Sequence, residues 1–536
     1  MTHVVILGAG IAGVSAAYAL KAKLGPQDEV TVVSDKPYFH FVPSNPWIAM
    51  GWRERADVAF PIGPYLESRG IKFIHSGVKR IQPDVIQVDL ENGDVLFYDY
   101  LLIATGATGM SDDVPGLAEH THSVIHIDQA ERAHEAYREF VRHPGPIIVG
   151  AAPGASVLGP IYEYAFLVDA DLKRRNIRER VPITLVTPEP YPGHLGLGGE
   201  GASRGAVTAA LVDTKISVIC NARTVRVDKD TIQVVELDAA GKEKQTHTLP
   251  YAYSVYWPAF GGVPGVRSAT GLVNERGLVV VDEYLRNPDY PNVFAIGACV
   301  AQPVVDQTPV PVGPPDSVYS ITKAGEIVVQ NILAYAGDAP LVSYVPQRAK
   351  WLTDMGSTGA AYLSEPQVPL RDINWMRQGR WVHQAKVDFE KYFVNKIRLK
   401  PSGQAPSVAS RIAGVMGHLL AESNGASRTA SASPGSGRTL EIHLPKDPSF
   451  ELRALARSVG RDPNALATEL LAAAVADAKS YLNEAGVESL ALSRRELLVE
   501  DLPERQPGGR ISRGRDLICP AFTETFLNRP HRRFPA

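Results

Sequence analysis

Gly8, Gly10 and Gly13 have the spacing G-x-G-x-x-G, and Asp35 follows 22 residues after the last of them. In a nucleotide site each residue has its own task. The first glycine permits a tight turn, the second lets backbone approach a pyrophosphate, and the third lets helix and strand pack closely. Free N–H groups at the helix start then face the phosphates. An acid ending the next strand accepts bonds from ribose hydroxyls. The pattern predicts a dinucleotide site on Gly8, Gly10, Ala12, Gly13, Asp35 and Lys36. One fingerprint serves both FAD and NAD(P). Two later segments favour FAD: the apolar run 101–104 ending in Thr105-Gly106, and 292–296 ending in Gly297. Each can return the chain to the first sheet.

These residues work only on particular elements. Residues 3–7 are short, apolar and β-branched, which predicts a buried strand, with a helix over 14–23 and a second strand over 29–34. Asn92-Gly93 between 85–88 and 95–97 predicts a hairpin. The pattern restarts with a strand at 146–149, a turn at 150–154 and a helix over 156–173. That turn lacks the glycine spacing, and Pro153 removes a donor, so no tight NAD(P)H site is expected there. Further strands are read at 183–186, 217–219, 232–236 and 278–281, and a helix at 320–336. The fold class is α/β, with two Rossmann-like domains. The first comprises 1–115 and 280–345, and the second, 116–279, is inserted between its halves. Residues 346–400 cap the flavin face.

Composition changes after residue 400. A helix and a Ser/Gly-rich linker occupy 401–438, a strand-helix-helix module 439–482 and a basic tail 483–536. Leu440, Ile442 and Leu444 make one apolar strand face, which predicts dimerisation by strand pairing, in the manner of ribbon-helix-helix domains. Residues 505–536 hold seven arginines against Asp516 and Glu524. For the whole chain the net charge is −3, which gives no global attraction to nucleic acid or to an anionic membrane. Three cysteines form no disulfide framework and no zinc spacing, so no metal site is expected. With no apolar run of ~18 residues and no secretion signal, a cytoplasmic protein is expected.

With these segments in place, the chain resembles the sulfide:quinone oxidoreductase family of two-dinucleotide-fold flavoproteins over about residues 1–400. The carrying motifs are Lys36-Pro37-Tyr38-Phe39, Pro43-Ser44-Asn45-Pro46-Trp47, Gly154-Ala155-Ser156 with Tyr162-Glu163-Tyr164, and Gly193-His194-Leu195-Gly196. Thr308-Pro309-Val310-Pro311, Trp381-Val382-His383 and Phe389-Glu390-Lys391-Tyr392-Phe393 complete them. The resemblance implies FAD, covalent or noncovalent, held between the two Rossmann-like domains. We place Asn45, Val78, Thr105, Gly106 and Gly297 with the fingerprint residues as cofactor contacts. Glu163 falls near the flavin by this resemblance, as a proton-transfer group or a structural one. His194 is an acid/base group or the fixing point of its loop.

Departures from the family change the expected chemistry. Its redox cysteines fall at Val157, Trp351 and near Ile125, and none of these residues can form a thiolate. A family Lys-Thr-Gly helix entry is Asp316-Ser317-Val318, a quinone-facing aromatic pair is Ser407-Val408, and a family histidine is Gln129. The expected function is an FAD-dependent oxidoreductase with a small-molecule donor other than sulfide by the usual route, and a small-molecule acceptor, quinone among them. A flavin-binding scaffold or redox sensor, and a true sulfide:quinone oxidoreductase with an unusual site, are the alternatives. Ile412, Val415, Met416, Leu419 and Leu420 share helical spacing, for peripheral membrane contact or for packing on the body.

Overall fold

The computed structural model describes residues 1–398 apart from 199–200, 346–348, 368 and 370. All of these lie in the unit Met1–Lys400. The linker, the strand-helix-helix module, the basic tail, the 412–420 segment and Ser407-Val408 lie outside the described residues.

The elements that matter for the site are, in chain order, β1 (His3–Leu7), α1 (Ile11–Lys23), β2 (Glu29–Ser34), α2 (Asn45–Ala49), β3 (Lys72–His75), β4 (Tyr100–Ile103), β5 (Ile147–Ala151), α3 (Gly159–Arg174), β6 (Ile183–Val186), β7 (Ile216–Ile219), β8 (Tyr253–Trp257), β9 (Val293–Ala295), α4 (Val318–Ala336), β10 (Ala349–Asp354), β11 (Gly359–Glu365), β12 (Ile373–Gly379) and α5 (Arg380–Arg398). The first sheet is parallel, in the order β9-β4-β1-β2-β3. The second, also parallel, runs β7-β6-β5-β8. Both have continuous apolar strands because each is covered on both faces, by helices on one and by a three-stranded antiparallel sheet on the other: Val4, Val5, Ile6 and Leu7 are all fully buried. Strands β10 to β12 form an antiparallel meander, and α5 packs against it.

Three local predictions shift for physical reasons. Helix α1 begins at Ile11, immediately after the glycine turn. Helix α3 begins at Gly159 and not at 156, because Val157 adopts φ +55° and Pro160 stands at the helix start. The strand expected at 278–281 reduces to isolated bridges from Val279 to Val273 and Val300. There the Asn274 side chain accepts from the N–H groups of Arg276 and Leu278, both at 3.0 Å, and the resulting turn competes with a ladder.

Candidate functional site

The fingerprint glycines occupy three different environments. Gly8 has φ +114°, and a Cβ there would overlap the carbonyl oxygen of Ala104 at the end of β4. A Cβ on Gly13 would overlap the Gly8 carbonyl, so α1 can lie close on β1 only with glycine at that position. Gly10 is the opposite case: its Cβ would meet no protein atom within 4 Å. That open space adjoins the start of α1, which has no side-chain cap and no acid in its first turn. Unsatisfied N–H groups and the helix dipole there favour an anion. Asp35 follows β2 with its side chain 65% exposed, 3.4 Å from Lys36 Nζ, and so is open to a ligand. Gly297, at φ +80°, brings the end of β9 toward Ala12, while Gly106 adopts φ +70° beside open space. Thr105 Oγ1 donates to the Gly106 carbonyl at 3.3 Å. Val78 opens a strand of the adjoining antiparallel sheet. Asn45 Nδ2 donates to the carbonyls of Val124 and Ile125, both at 2.9 Å, and so ties α2 to the chain entering the second domain.

A cleft of about 200 Å³ opens where the carboxyl ends of the two parallel sheets approach each other, and its walls include Gly154, Val157, Phe260, Ala298, Val300 and Asp316. This is where open α/β sheets bind ligands. Val157 is a β-branched residue in the left-handed region. Its loop is held there by Gly154 N–H on the Pro311 carbonyl at 2.6 Å and Gly313 N–H on the Ala155 carbonyl at 2.9 Å. Such a conformation costs ~1–2 kcal/mol and persists when its surroundings over-determine it. Val157→Gly is therefore expected to be more stable than Val157→Ala by ~1 kcal/mol in chemical denaturation. Equal stabilities would show that the backbone relaxes.

Two of the three cysteines are described, and neither resembles a nucleophile. Burial pushes the Cys299 thiol up to about 11 and the Cys220 thiol up to about 12. Cys299 Sγ donates to the carbonyls of Ile296 at 3.2 Å and Ile103 at 3.3 Å. Both stay protonated at neutral pH.

Helix α3 carries Glu163 into a buried polar network. Lys386 of α5 donates to Glu163 Oε1, and Asp354 N–H lies 3.4 Å from Oε2. Burial raises the Glu163 carboxyl above its ordinary range, and the Lys386 charge opposes that shift. Asp354 accepts from Trp47 Nε1 at 2.7 Å, Gly356 N–H at 3.0 Å and His383 Nδ1 at 2.9 Å. Lys386 Nζ lies 4.7 Å from the centre of the Trp47 ring. Further along α5, Glu390 takes Ser44 Oγ at 2.5 Å and Arg53 Nε at 2.8 Å. Helix α5 is thus joined to α3 through Lys386 and Glu163, and to Ser44 and Arg53 through Glu390, by carboxylates that are themselves buried.

His194 has separate partners. Its Nδ1 accepts from Gly196 N–H at 3.2 Å, so Nε2 carries the proton and donates to Asp306 at 3.3 Å. Gln129 accepts from His126 N–H at 3.2 Å and helps cap its helix. Trp351 of β10 packs 5.6 Å from the Tyr362 ring and faces the start of α3 at Gly159. Sequence reasoning missed Asp354, Lys386 and Glu189. The last is a fully buried carboxyl that takes Tyr162 OH at 2.5 Å and Thr187 Oγ1 and Leu195 N–H at 2.7 Å. Its only signal in the sequence is its place just ahead of the Gly193-His194-Leu195-Gly196 motif.

Residues 2–314 match the model of the pyridine nucleotide-disulphide oxidoreductase family. Sulfide-quinone reductase of Aquifex aeolicus (strain VF5) is 35% identical over 399 residues, 74% of this chain and 91% of that protein. The chain belongs to the sulfide:quinone oxidoreductase family. The X-ray structure of the sulfide:quinone oxidoreductase from the hyperthermophilic bacterium Aquifex aeolicus superimposes with a TM-score of 0.71 at 34% identity, covering 74% of this chain and 92% of that one. More distant is the mitochondrial external alternative NAD(P)H-ubiquinone oxidoreductase B3 of Arabidopsis thaliana, 26% identical over 328 residues, 55% of this chain and 54% of that protein. As a member of the sulfide:quinone oxidoreductase family, the protein has the two-dinucleotide-domain fold and binds FAD. It is a flavin-dependent oxidoreductase of that type. Among the described residues no helix is long and apolar enough to cross a membrane.

Proposed function

We propose that this protein passes electrons from a small-molecule donor to a quinone through FAD, without the cysteine attack on sulfide that a thiol pair would perform. The observation that carries this reading is Val157 on the wall of the cleft, where the family resemblance places a cysteine. In this reading the uncapped start of α1 and the space at Gly10 hold the pyrophosphate, and Asp35 holds a ribose. Gly106 and Gly297 let backbone approach the cofactor from β4 and β9. The cleft bounded by Gly154, Val157 and Asp316 would hold the ring. When bound, FAD supplies two-electron transfer. A quinone also needs protons, and Glu163 can hold one because burial raises its carboxyl while Lys386 keeps it within reach of ionisation. His194, held by Gly196 and Asp306, fixes its loop in this reading.

Anaerobic reduction of the yellow protein with candidate donors, followed by reoxidation with a water-soluble quinone, tests the proposal. Sulfide-dependent quinone reduction is expected to lie roughly a hundredfold or more below that of the Aquifex relative, since burial keeps both described cysteines protonated and Val157 and Trp351 carry no thiol. Robust sulfide turnover that survives removal of Cys299 would overturn the reading. Failure of every donor to reduce the flavin would favour a scaffold without turnover.

A further inference from the structure

Asp316 is the residue in the cleft whose chemistry the proposed function leaves unused. It precedes Ser317, the capping residue of α4, and is only 8% exposed. Its Oδ1 accepts from Ser317 N–H at 2.7 Å. Its Oδ2 is buried and has no hydrogen-bond partner among the described residues. The side chain lines the cleft together with the apolar groups of Val157, Phe260, Val300 and Val312. Gln302 and Ser320 approach the same carboxyl, and Tyr344 faces it from beyond α4. The cation lining the cleft is Arg276, which is solvent-exposed and sits against Gly154.

A buried carboxyl oxygen without a partner is costly when ionised and without a ligand. It becomes more so when a reduced ring beside it gains two electrons and only one proton, because two negative charges would then share a poorly solvated cleft. The charge is relieved if a proton arrives with the electrons.

We infer that Asp316 is the group that accepts a second proton when the bound flavin is reduced. The two electrons and one proton go from the donor to the ring. The second proton comes from solvent to Asp316 Oδ2, so the cleft gains no net negative charge. Burial of the side chain agrees with this role, since it lifts the carboxyl to about 6. Thus it is largely ionised in neutral solution before reduction and can take up a proton during it. The inference rests on the reading that the FAD ring occupies this cleft.

The test is the slope of the flavin reduction potential against pH, measured on the FAD-loaded protein as purified. Between about pH 7 and 8 the wild type is expected to take up two protons per two electrons, with Asp316 ionised beforehand. Asp316→Asn keeps the Oδ1 acceptor for Ser317 N–H and is expected to take up one. The reduced ring should show the near-ultraviolet absorbance of anionic reduced flavin in both proteins, since the second proton of the wild type resides on Asp316 and not on the ring. A one-proton slope in the wild type overturns the inference while leaving the proposed function intact, and so does a two-proton slope in the variant. Should Asp316→Asn fail to fold, the slope is read on Asp316→Ser, for which one proton is again expected and two protons overturn the inference. Absence of FAD from the wild type would instead overturn the reading of the cleft, and this inference with it.

Discussion

Gly10→Leu protein is expected to fold with near wild-type stability and to lose FAD affinity by roughly a hundredfold or more, ~3 kcal/mol of binding. The two halves of this expectation rest on separate observations. Gly10 has φ −82° and ψ −169°, an extended conformation that any residue adopts. A side chain there would meet no protein atom within 4 Å, so the protein without cofactor tolerates it. The same side chain would fill the space in front of the uncapped N–H groups of α1, where the pyrophosphate must lie. Gly8→Leu behaves differently. It collides with the Ala104 carbonyl and strains a left-handed backbone, so it is expected to lower stability as well. Flavin absorbance per mole of purified protein, together with thermal melts of both variants, separates the cases. Normal FAD content in Gly10→Leu would sink the assignment of this turn.

Lys386→Met should destabilise the protein by ~3–5 kcal/mol, the cost of leaving a buried charge without its partner. The side chains of Lys386 and Glu163 are 7% and 6% exposed, so water cannot take the place of either partner. Part of the loss is softened because Glu163 can take up a proton, its carboxyl being raised by burial already. The double substitution Glu163→Leu with Lys386→Met should recover most of the stability, since it removes both charges and leaves apolar groups. Denaturant unfolding of the two single variants and the double variant gives the coupling. Additive effects would show that the pair does not act as a unit. Asp354, Trp47 and His383 adjoin the pair, so the loss should also loosen α5 from the body.

Much of the first parallel sheet and its glycine turn was legible from residue types alone because the rules that form them are local. A strand of four buried apolar residues, a glycine turn and a helix start lie within twenty residues, and each glycine answers to a steric demand of its neighbours. Asp35 at the end of β2 and the two later returns through Gly106 and Gly297 follow from the parallel order of one sheet. The absence of cysteine at Val157 and Trp351 is likewise a fact of sequence. By contrast, helix and strand ends moved wherever a backbone conformation overrode propensity. Val157 at φ +55° set the start of α3, and the Asn274 turn dissolved a strand.

Only the tertiary structure could assemble the charges. Glu163, Asp354 and Lys386 are separated by 191 and 32 residues, the intervals from 163 to 354 and from 354 to 386, and no periodicity links them. A charged residue in sequence reads as solvated surface, because burial is a property of what packs over it. Here the meander and α5 fold back over α3 and exclude water, turning three ordinary side chains into a coupled buried network. Asp316 is the same case: sequence places it before a capping serine, but the cleft around it leaves one carboxyl oxygen buried without a partner. Local sterics determined the glycine turn and the strands that flank it, whereas solvent exclusion by distant segments decided which acids and bases are buried.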